Sequence, residues 1–549
     1  MTNPDMNISF DLRTQVLTAC RHLLSEINRD PATPTYGCFD RRYWGWKLVD
    51  FPEATFQRNL SALAWLLQQP EAQEMQAMLT STLQAGLLYA ARIQHHSGSF
   101  DQAYPYEESY GAAAFLVPDL LDAYLAVKAD CDYDAQLTIE AMLAKAAAFL
   151  YHHAELHGTI SNHLAGAALA LLKAGNFLKQ PDYNAKSREI LDFILSKQSK
   201  EGWYVEYGGA DPGYQTLCMY YLAQIYAIAP YDELQKSLSA SLDFLQYFAQ
   251  PDGSFGGEYG SRRTEIYYPG GIALLSGEFP LAAALTAHML DGIEQGRTTR
   301  LADMDMGNTA PLLNNTIKAL PYRDIRAKVG LPFKAETLAQ DFPEAGIFIR
   351  ATEKYYCVVG ASTGGVTKVY DKKKSQLVWD DCGLLGQTGR DAIISTQAAA
   401  PDQGWKTDTD KLELWGNFQP IKSTLPGPGN FLVLRLMNLT VMRVGFLNEL
   451  VKKMMVRMLI SGGSSLPLKR TRRLVFTKDK ISIHDRVEKT GSMQVKALRY
   501  GGKFSAIHMA SSRYFAPNQA NTQELPALDV QALNRDGVCE YQIEIKIGS

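Results

Sequence analysis

A chain of 549 residues exceeds what one hydrophobic core usually holds, so two or three domains are expected. Its 46% hydrophobic and 21% charged content is that of a globular protein, and 55 basic against 58 acidic residues leave a net charge of -3, which excludes the strong basic field of a nucleic-acid binder. The seven cysteines are scattered, odd in number and form no CxxC pair, which argues against a disulfide framework and a cysteine-built zinc site; no metal and no cofactor is expected.

The first twenty residues lack a basic segment followed by an apolar one, and no uncharged apolar run of membrane-spanning length follows, so a cytoplasmic location is expected. From about Phe10 to Leu320, apolar residues recur every three or four positions, as in LSALAWLLQQ, AAFLVPDLLDAYLAV and ILDFILSKQ. This pattern predicts about ten to twelve helices. Early in this region, CFDRRYWGWKLVDFP sets Tyr43, Trp44 and Trp46 among Arg41, Arg42 and Lys47, a density that suits a substrate-facing wall.

Four loops then open on glycines 98, 158, 202 and 253, spaced 60, 44 and 51 residues apart, about two helices and their turns each. The first carries Tyr104, Tyr106, Glu107 and Glu108, the second Asn162 and His163, the third Glu206, Tyr207, Asp211 and Tyr214, and the fourth Glu258, Tyr259, Arg262 and Arg263. Helix hairpins repeating with such loops predict an (α/α) toroid whose loops line one cleft. Asn308, Asn314 and Asn315 could close the circle from the last hairpin.

From about Gly346 the period changes to two, with β-branched and aromatic alternation in IFIRATEKYYCVVGAS, RRLVFTKDKISIHDRV and YQIEIKI. The expected fold is therefore α+β multidomain: a toroid over 1–325, a linker over 326–345 and an antiparallel β-sandwich over 346–549. Within the latter, 435–473 holds nine basic residues and one acid, with apolar residues at helical spacing from Phe446 to Ile460. That stretch is expected to be an amphipathic, basic, surface-seeking insertion, with an anionic membrane surface or an anionic glycan as partner. Nucleic acid is not an expected partner, because the interleaved aromatics that stack on bases are missing.

Asn162-His163 at a helix start, the YVEYGGADPGYQ loop and the GGVTKVYDKK strand pair resemble the heparinase II/III-like family of polysaccharide lyases, including members found beside capsule and lipopolysaccharide biosynthesis genes. The resemblance implies β-elimination on an anionic polysaccharide or oligosaccharide containing uronate. It implies that a tyrosine, here Tyr207 or Tyr214, and a histidine, here His163, handle protons, while Asn162 and Arg262 or Arg263 hold the carboxylate. Characterised members often add a β-domain histidine or tyrosine and sometimes a metal; here only His484 and His508 follow residue 300.

A helix beginning near Leu164 would favour a neutral His163, and the competing reading makes Ser161 or Asn162 a mere helix cap. The remaining aromatics and carboxylates suit sugar stacking and hydroxyl contacts. Two other functions fit the same residues. One is a glycoside hydrolase using two of Asp101, Glu107, Glu206, Asp211 and Glu258; the other is a non-catalytic glycan-binding or assembly factor at the inner membrane surface.

Overall fold

Gly98 and Gly202 hold φ of 91° and 95°, and a Cβ on either would lie 2.1 Å from a backbone oxygen, that of Lys145 or Ala240, in the next outer helix. Only glycine permits both the left-handed backbone and this approach. Beside each, a glutamine staples the loop: Gln94 Nε2 donates to Gly98 O and Met142 O, and Gln198 Nε2 donates to Gly202 O and Ser237 O. These two glycines thus mark where the first and third loops are pinned to the following hairpin. The computed structural model describes residues 11–155, 160–397, 402–421, 427–445, 447–451, 465–501 and 528–547. The expected opening glycine of the second loop, Gly158, lies outside the described residues.

Six helices form a closed inner ring: Asn59–Leu67, Tyr110–Val127, Ser161–Leu178, Pro212–Ile228, Pro269–Leu274 and Met306–Ala319, each packed on the next and the last on the first. Outside them run Leu12–Glu26, Gln76–Ile93, Tyr133–His152, Pro181–Ser196, Asp232–Leu245 and Pro280–Glu294. The segment Tyr110–Asp130 is apolar enough to cross a membrane, but it belongs to this inner ring and 83% of it is buried in the protein. The inner helices are alanine- and glycine-rich because they are covered on nearly every side; Ala165, Ala167, Ala168 and Ala170 are all fully buried.

Among the described residues the β-domain contains three antiparallel sheets. The first orders β1 (Leu338–Phe342), β2 (Ile347–Ala351), β3 (Tyr355–Gly360), β4 (Val366–Asp371) and β5 (Gln376–Asp381) consecutively. A second is built from β6 (Leu384–Thr388), β7 (Ile393–Ser395), β10 (Gln419–Pro420) and β13 (Val495–Tyr500). The third runs β14-β12-β11-β9-β8, comprising Val538–Lys546, Lys480–Lys489, Leu468–Phe476, Lys411–Asn417 and Gly404–Thr407. Strands β2 to β4 are buried on both faces. Ile347, Ile349, Tyr356 and Tyr370 join the toroid's core, while the alternate Phe348, Cys357, Val359 and Val369 join the β-domain's own.

Of the basic stretch 435–473, the expected amphipathic segment from Phe446 to Ile460 lies outside the described residues except for 447–451, and the described basic residues belong to separate elements. Arg435 lies on the helix Pro428–Leu439, Lys452, Lys453 and Arg457 lie outside the described residues, and Lys469 to Arg473 form part of β11. Strand alternation turns Arg470 and Arg472 inward. There, Arg470 Nε bonds Asp485 at 2.8 Å, Arg472 bonds Asp485 at 2.7 Å and Asp381 at 2.6 Å, and Tyr500 OH donates to Asp485. Their charges are neutralised inside the fold and cannot serve a surface.

Candidate active site

The first turns of the inner helices share one end of the ring, and the side chains there line a cleft of about 1300 Å³. Each inner helix contributes: Phe115 from the second, Asn162 and His163 from the third, Tyr214 and Leu217 from the fourth, Asn308 and Pro311 from the sixth, with Arg58 and Tyr268 just ahead of the first and fifth. Helix N-termini carry partial positive charge, so their convergence, together with Arg58 and Arg262, makes the cleft favourable to an anion.

The helix Ser161–Leu178 begins three residues earlier than expected, with Ile160 as its cap position and no side-chain cap bond. Neither Ser161 nor Asn162 therefore acts as the cap. A single antiparallel bridge between Ile160 and Glu206 brings the third loop beside this helix start, and Ser161 Oγ donates to Val205 O at 2.8 Å. Asn162 donates to Glu206 twice, from its backbone N at 3.0 Å and from Nδ2 at 2.9 Å. His163 shares a 2.7 Å hydrogen bond from Nδ1 with Glu155, and its ring packs edge-on against Phe115 at 5.2 Å. A carboxylate accepting Nδ1–H leaves Nε2 as the basic nitrogen of the neutral ring. Glu155 was missed in the sequence; it lies just past the helix Tyr133–His152, eight residues before the histidine it orients.

Tyr207 sits at φ 51° and is 45% exposed at the cleft. Arg262 stacks over it at 3.8 Å and over Tyr214 at 5.1 Å. Partial burial pushes the Tyr207 phenol up to about 12, against the opposing pull of Arg262, so it holds its proton at neutral pH. Burial likewise raises Tyr214.

Several residues expected to touch substrate do other work. Glu206 is fully buried beneath Asn162; burial raises its carboxyl to about 8, the Asn162 hydrogen bonds opposing. Asp211, also fully buried, caps the helix Pro212–Ile228 by accepting from Tyr214 N at 2.9 Å, and it accepts from Arg262 N at 2.8 Å. Its carboxyl is raised to about 6 by burial. Glu258 is buried against Lys368 of β4 at 2.7 Å, and Tyr259 is buried with its hydroxyl accepting from Gln250 Nε2 at 2.8 Å. Arg263, at φ 58°, turns to the β-domain and donates to Gln397 O, so of the adjacent arginines it is Arg262 that faces the cleft. The loops thus send Tyr207, Tyr214 and Arg262 to the cleft, while Glu206, Asp211, Glu258 and Tyr259 are held inside the fold and Arg263 turns to the β-domain.

Tyr43, Trp44 and Trp46 are absent from the cleft lining. Trp44 Nε1 donates to Glu26 O at 2.9 Å, and Trp46 is 67% exposed. Glu107 lines the cleft, Tyr104 lines a neighbouring cavity, and Tyr106 packs at a tilt against His95, ring centres 5.6 Å apart. Asn314 and Asn315 bond backbone oxygens of Arg58 and Pro311 and are structural, whereas Asn308 reaches the cleft. Arg58, missed in the sequence, bonds Asp119 at 2.7 Å and lies over Phe115.

His484 pairs with Glu540 on β14 and is not among the cleft-lining residues, and His508 lies outside the described residues. Among the described residues, Glu258, Asp380 and Cys382 stand close enough to hold a metal. The Lys368 ammonium already stands 2.7 Å from Glu258 and 3.4 Å from Asp380, so this donor set is matched to a lysine rather than to a cation from solution.

Glu206 yields a pH test. Its folded-state carboxyl lies above the ordinary 4.5, so its contribution to stability is complete below about pH 4.5 and is lost as pH rises towards 8. Thermal midpoints of the native protein should fall across that window, and Glu206→Gln should flatten the slope. Parallel slopes would contradict a protonated Glu206.

Residues 73–273 match the family model of the ulvan lyase N-terminal domain. Among solved structures, chondroitin AC lyase of Streptomyces coelicolor A3, in complex with chondroitin sulphate, aligns with a TM-score of 0.55 at 12% identity, over 91% of this chain and 69% of that one. A mutant of the same enzyme aligns at 0.53 and 11% with the same coverage. Heparan sulfate lyase of Pedobacter heparinus aligns at 0.42 and 12%, over 91% of this chain and 72% of its own. A comparison with curated protein sequences returns no match. At these identities the likeness to the two chondroitin AC lyase structures establishes the fold alone, a helical toroid followed by an antiparallel β-domain.

Proposed function

We propose that the protein, whose helical half carries an ulvan lyase N-terminal domain, is a polysaccharide lyase that breaks an anionic, uronate-containing glycan by β-elimination. The observation that carries this reading is the convergence of Asn162, His163, Tyr207, Tyr214 and Arg262 on one cleft at the positive ends of the inner helices.

The reaction removes the proton on the carbon next to the uronate carboxylate, builds enolate-like charge, and expels the glycosidic oxygen. Asn162 and Arg262 hold the carboxylate and stabilise that charge before the proton leaves. His163 Nε2 accepts the proton, with Glu155 fixing the ring and balancing the imidazolium that forms. Tyr207, protonated and half-exposed, donates to the departing oxygen as the carbon–oxygen bond breaks. The products are a saturated fragment and one ending in an unsaturated uronide. Mixing the protein with uronate polymers should therefore produce the ultraviolet absorbance of that unsaturated sugar. Saturated fragments alone, across a broad panel, would overturn the lyase reading.

Of the carboxylates expected for a hydrolase, Asp101, Glu107, Glu206, Asp211 and Glu258, Glu107 alone lines the cleft, and Glu53, the other carboxylate there, is engaged by Arg42 and Thr55. The described part of the insertion supports peripheral contact with a membrane, because Leu432, Leu436 and Leu439 of the helix Pro428–Leu439 are each more than 60% exposed. Such contact would suit a role in bacterial surface polysaccharide metabolism. Sedimentation with anionic vesicles should capture the native protein and release a Leu432→Ser, Leu436→Ser variant; equal capture of both would remove this part of the reading.

A further inference from the structure

Glu206 is fully buried beneath Asn162, which lines the cleft as the second residue of the helix Ser161–Leu178. The two are joined twice: Glu206 Oε1 accepts from Asn162 N at 3.0 Å, and Oε2 accepts from Asn162 Nδ2 at 2.9 Å. The backbone around the carboxyl is fixed as well. The Ile160–Glu206 bridge ties it to the helix start, reciprocal bonds with Gly209 close its own loop, and Ser261 Oγ of the fourth loop donates to Glu206 O at 2.7 Å.

An amide has a donor end and an acceptor end, so the end given to Glu206 decides which one the cleft meets. With Nδ2 on Glu206, the cleft meets Oδ1, which has no hydrogen-bond partner among the described residues and is not sealed from it. That is the wrong end for an anion. A uronate carboxylate offers only acceptors, so it would be repelled by Oδ1 and, behind Oδ1, by an ionised Glu206. A half-turn of the amide exchanges its ends in place, and the carboxyl must then supply a proton to Oδ1. Oε1 continues to accept from the Asn162 backbone, so the proton belongs on Oε2.

The surroundings favour that proton. Burial raises the Glu206 carboxyl to about 8, with Asp211 adding to the rise and the Asn162 hydrogen bonds and Arg262 opposing it. The other titratable groups that sense Glu206 are Tyr207, Tyr214 and the Cys218 thiol, and burial raises all three, so each is neutral at that pH. An incoming carboxylate strengthens the preference, because a negative charge on one side of the amide disfavours another on the far side.

We propose that Glu206 is the positioning residue for Asn162: it donates a proton from Oε2 to Asn162 Oδ1 and so turns Nδ2 into the cleft as a donor to the uronate carboxylate. Glu206 touches no substrate and acts only through the amide. Above about pH 8 the ionised carboxyl takes Nδ2 back, and the cleft loses that donor. The part Asn162 plays towards a carboxylate rests on the lyase reading above, whereas the proton on Glu206 does not.

Two measurements separate the two. Infrared difference spectra of the native protein between about pH 7 and 10 should show a protonated-carboxyl carbonyl band that fades on the alkaline side and is missing from Glu206→Gln. Native and variant spectra without that difference overturn the proposal, whatever the activity. On a uronate polymer that yields unsaturated product, native KM should climb towards about tenfold per unit above about pH 8, with kcat less affected. Glu206→Gln accepts from the Asn162 backbone and donates to Oδ1 at every pH. Its KM should not climb, and at about pH 9.5 it should lie at least about tenfold below the native value. Asn162→Ala should also lose the pH dependence, but by raising KM throughout. A Glu206→Gln protein whose KM climbs in parallel with the native one, or exceeds it at that pH, overturns the proposal while leaving the lyase intact. If no polymer yields unsaturated product, the lyase reading fails and the infrared comparison alone decides for or against the proton on Glu206.

Discussion

His163→Ala should lower kcat by about 10²- to 10⁴-fold with KM nearly unchanged, the range lost when a positioned general base is removed. The imidazole is held by Glu155 at 2.7 Å and by Phe115 at 5.2 Å, so truncation removes the base without opening the loop around it. Glu155→Gln should cost less and should move the pH profile of kcat, because the carboxylate acts through the imidazole. Tyr207→Phe, which removes the proton donor while keeping the ring beneath Arg262, should also depress kcat. The double variant should fall far short of the product of the two single losses, since acid and base work in one elimination. A His163→Ala protein with native turnover would exclude His163 as the base.

Lys368→Ala is expected to cost stability by about 3–5 kcal/mol, the effect of stripping one partner from a buried charge cluster. The ammonium lies 2.7 Å from Glu258 and Glu265 and 3.4 Å from Asp380, and Lys368, Glu258 and Asp380 are all fully or nearly fully buried. Burial alone would pull the ammonium down, but Asp380 and Glu265 hold it well above its ordinary value, so it stays charged. Because Glu258 and Glu265 come from a toroid loop and Asp380 from β5, the loss falls on the junction between the domains. Urea unfolding should show the lowered midpoint, and an unchanged midpoint would contradict the network. The same substitution should reduce activity indirectly, since Arg262 lies in the loop that Glu258 and Glu265 anchor.

How much of the site was legible depended on which way each side chain had to point. Asn162, His163, Tyr207, Tyr214 and Arg262 could be found because polar and aromatic residues beside glycines at regular spacing imply loops that share one end of a repeat. Glu206, Asp211, Glu258 and Arg263 occur in the same loops but face inward or towards the β-domain. Their neighbours in sequence do not reveal this, because tight turns with left-handed residues such as Tyr207 and Arg263 break simple alternation. Arg58 and Glu155 escaped notice for the opposite reason: neither lies in a glycine-rich loop, and only folding brings Arg58 to the cleft and Glu155 against the His163 ring.

By itself the sequence determined the two-part architecture, because a hydrophobic period near 3.6 that changes to 2 is a local property of the chain. It also determined where the loops fall, because a backbone with φ near +90° packed against a helix carbonyl admits only glycine. Only the tertiary structure decided which charges are buried. Arg470 and Arg472 read as part of a basic surface until Asp485 and Asp381 met them across the sheets, and Glu258 read as a sugar ligand until Lys368 met it across the domain junction. A charge becomes structural or functional according to partners that lie dozens to hundreds of residues away, and that separation is removed only by folding.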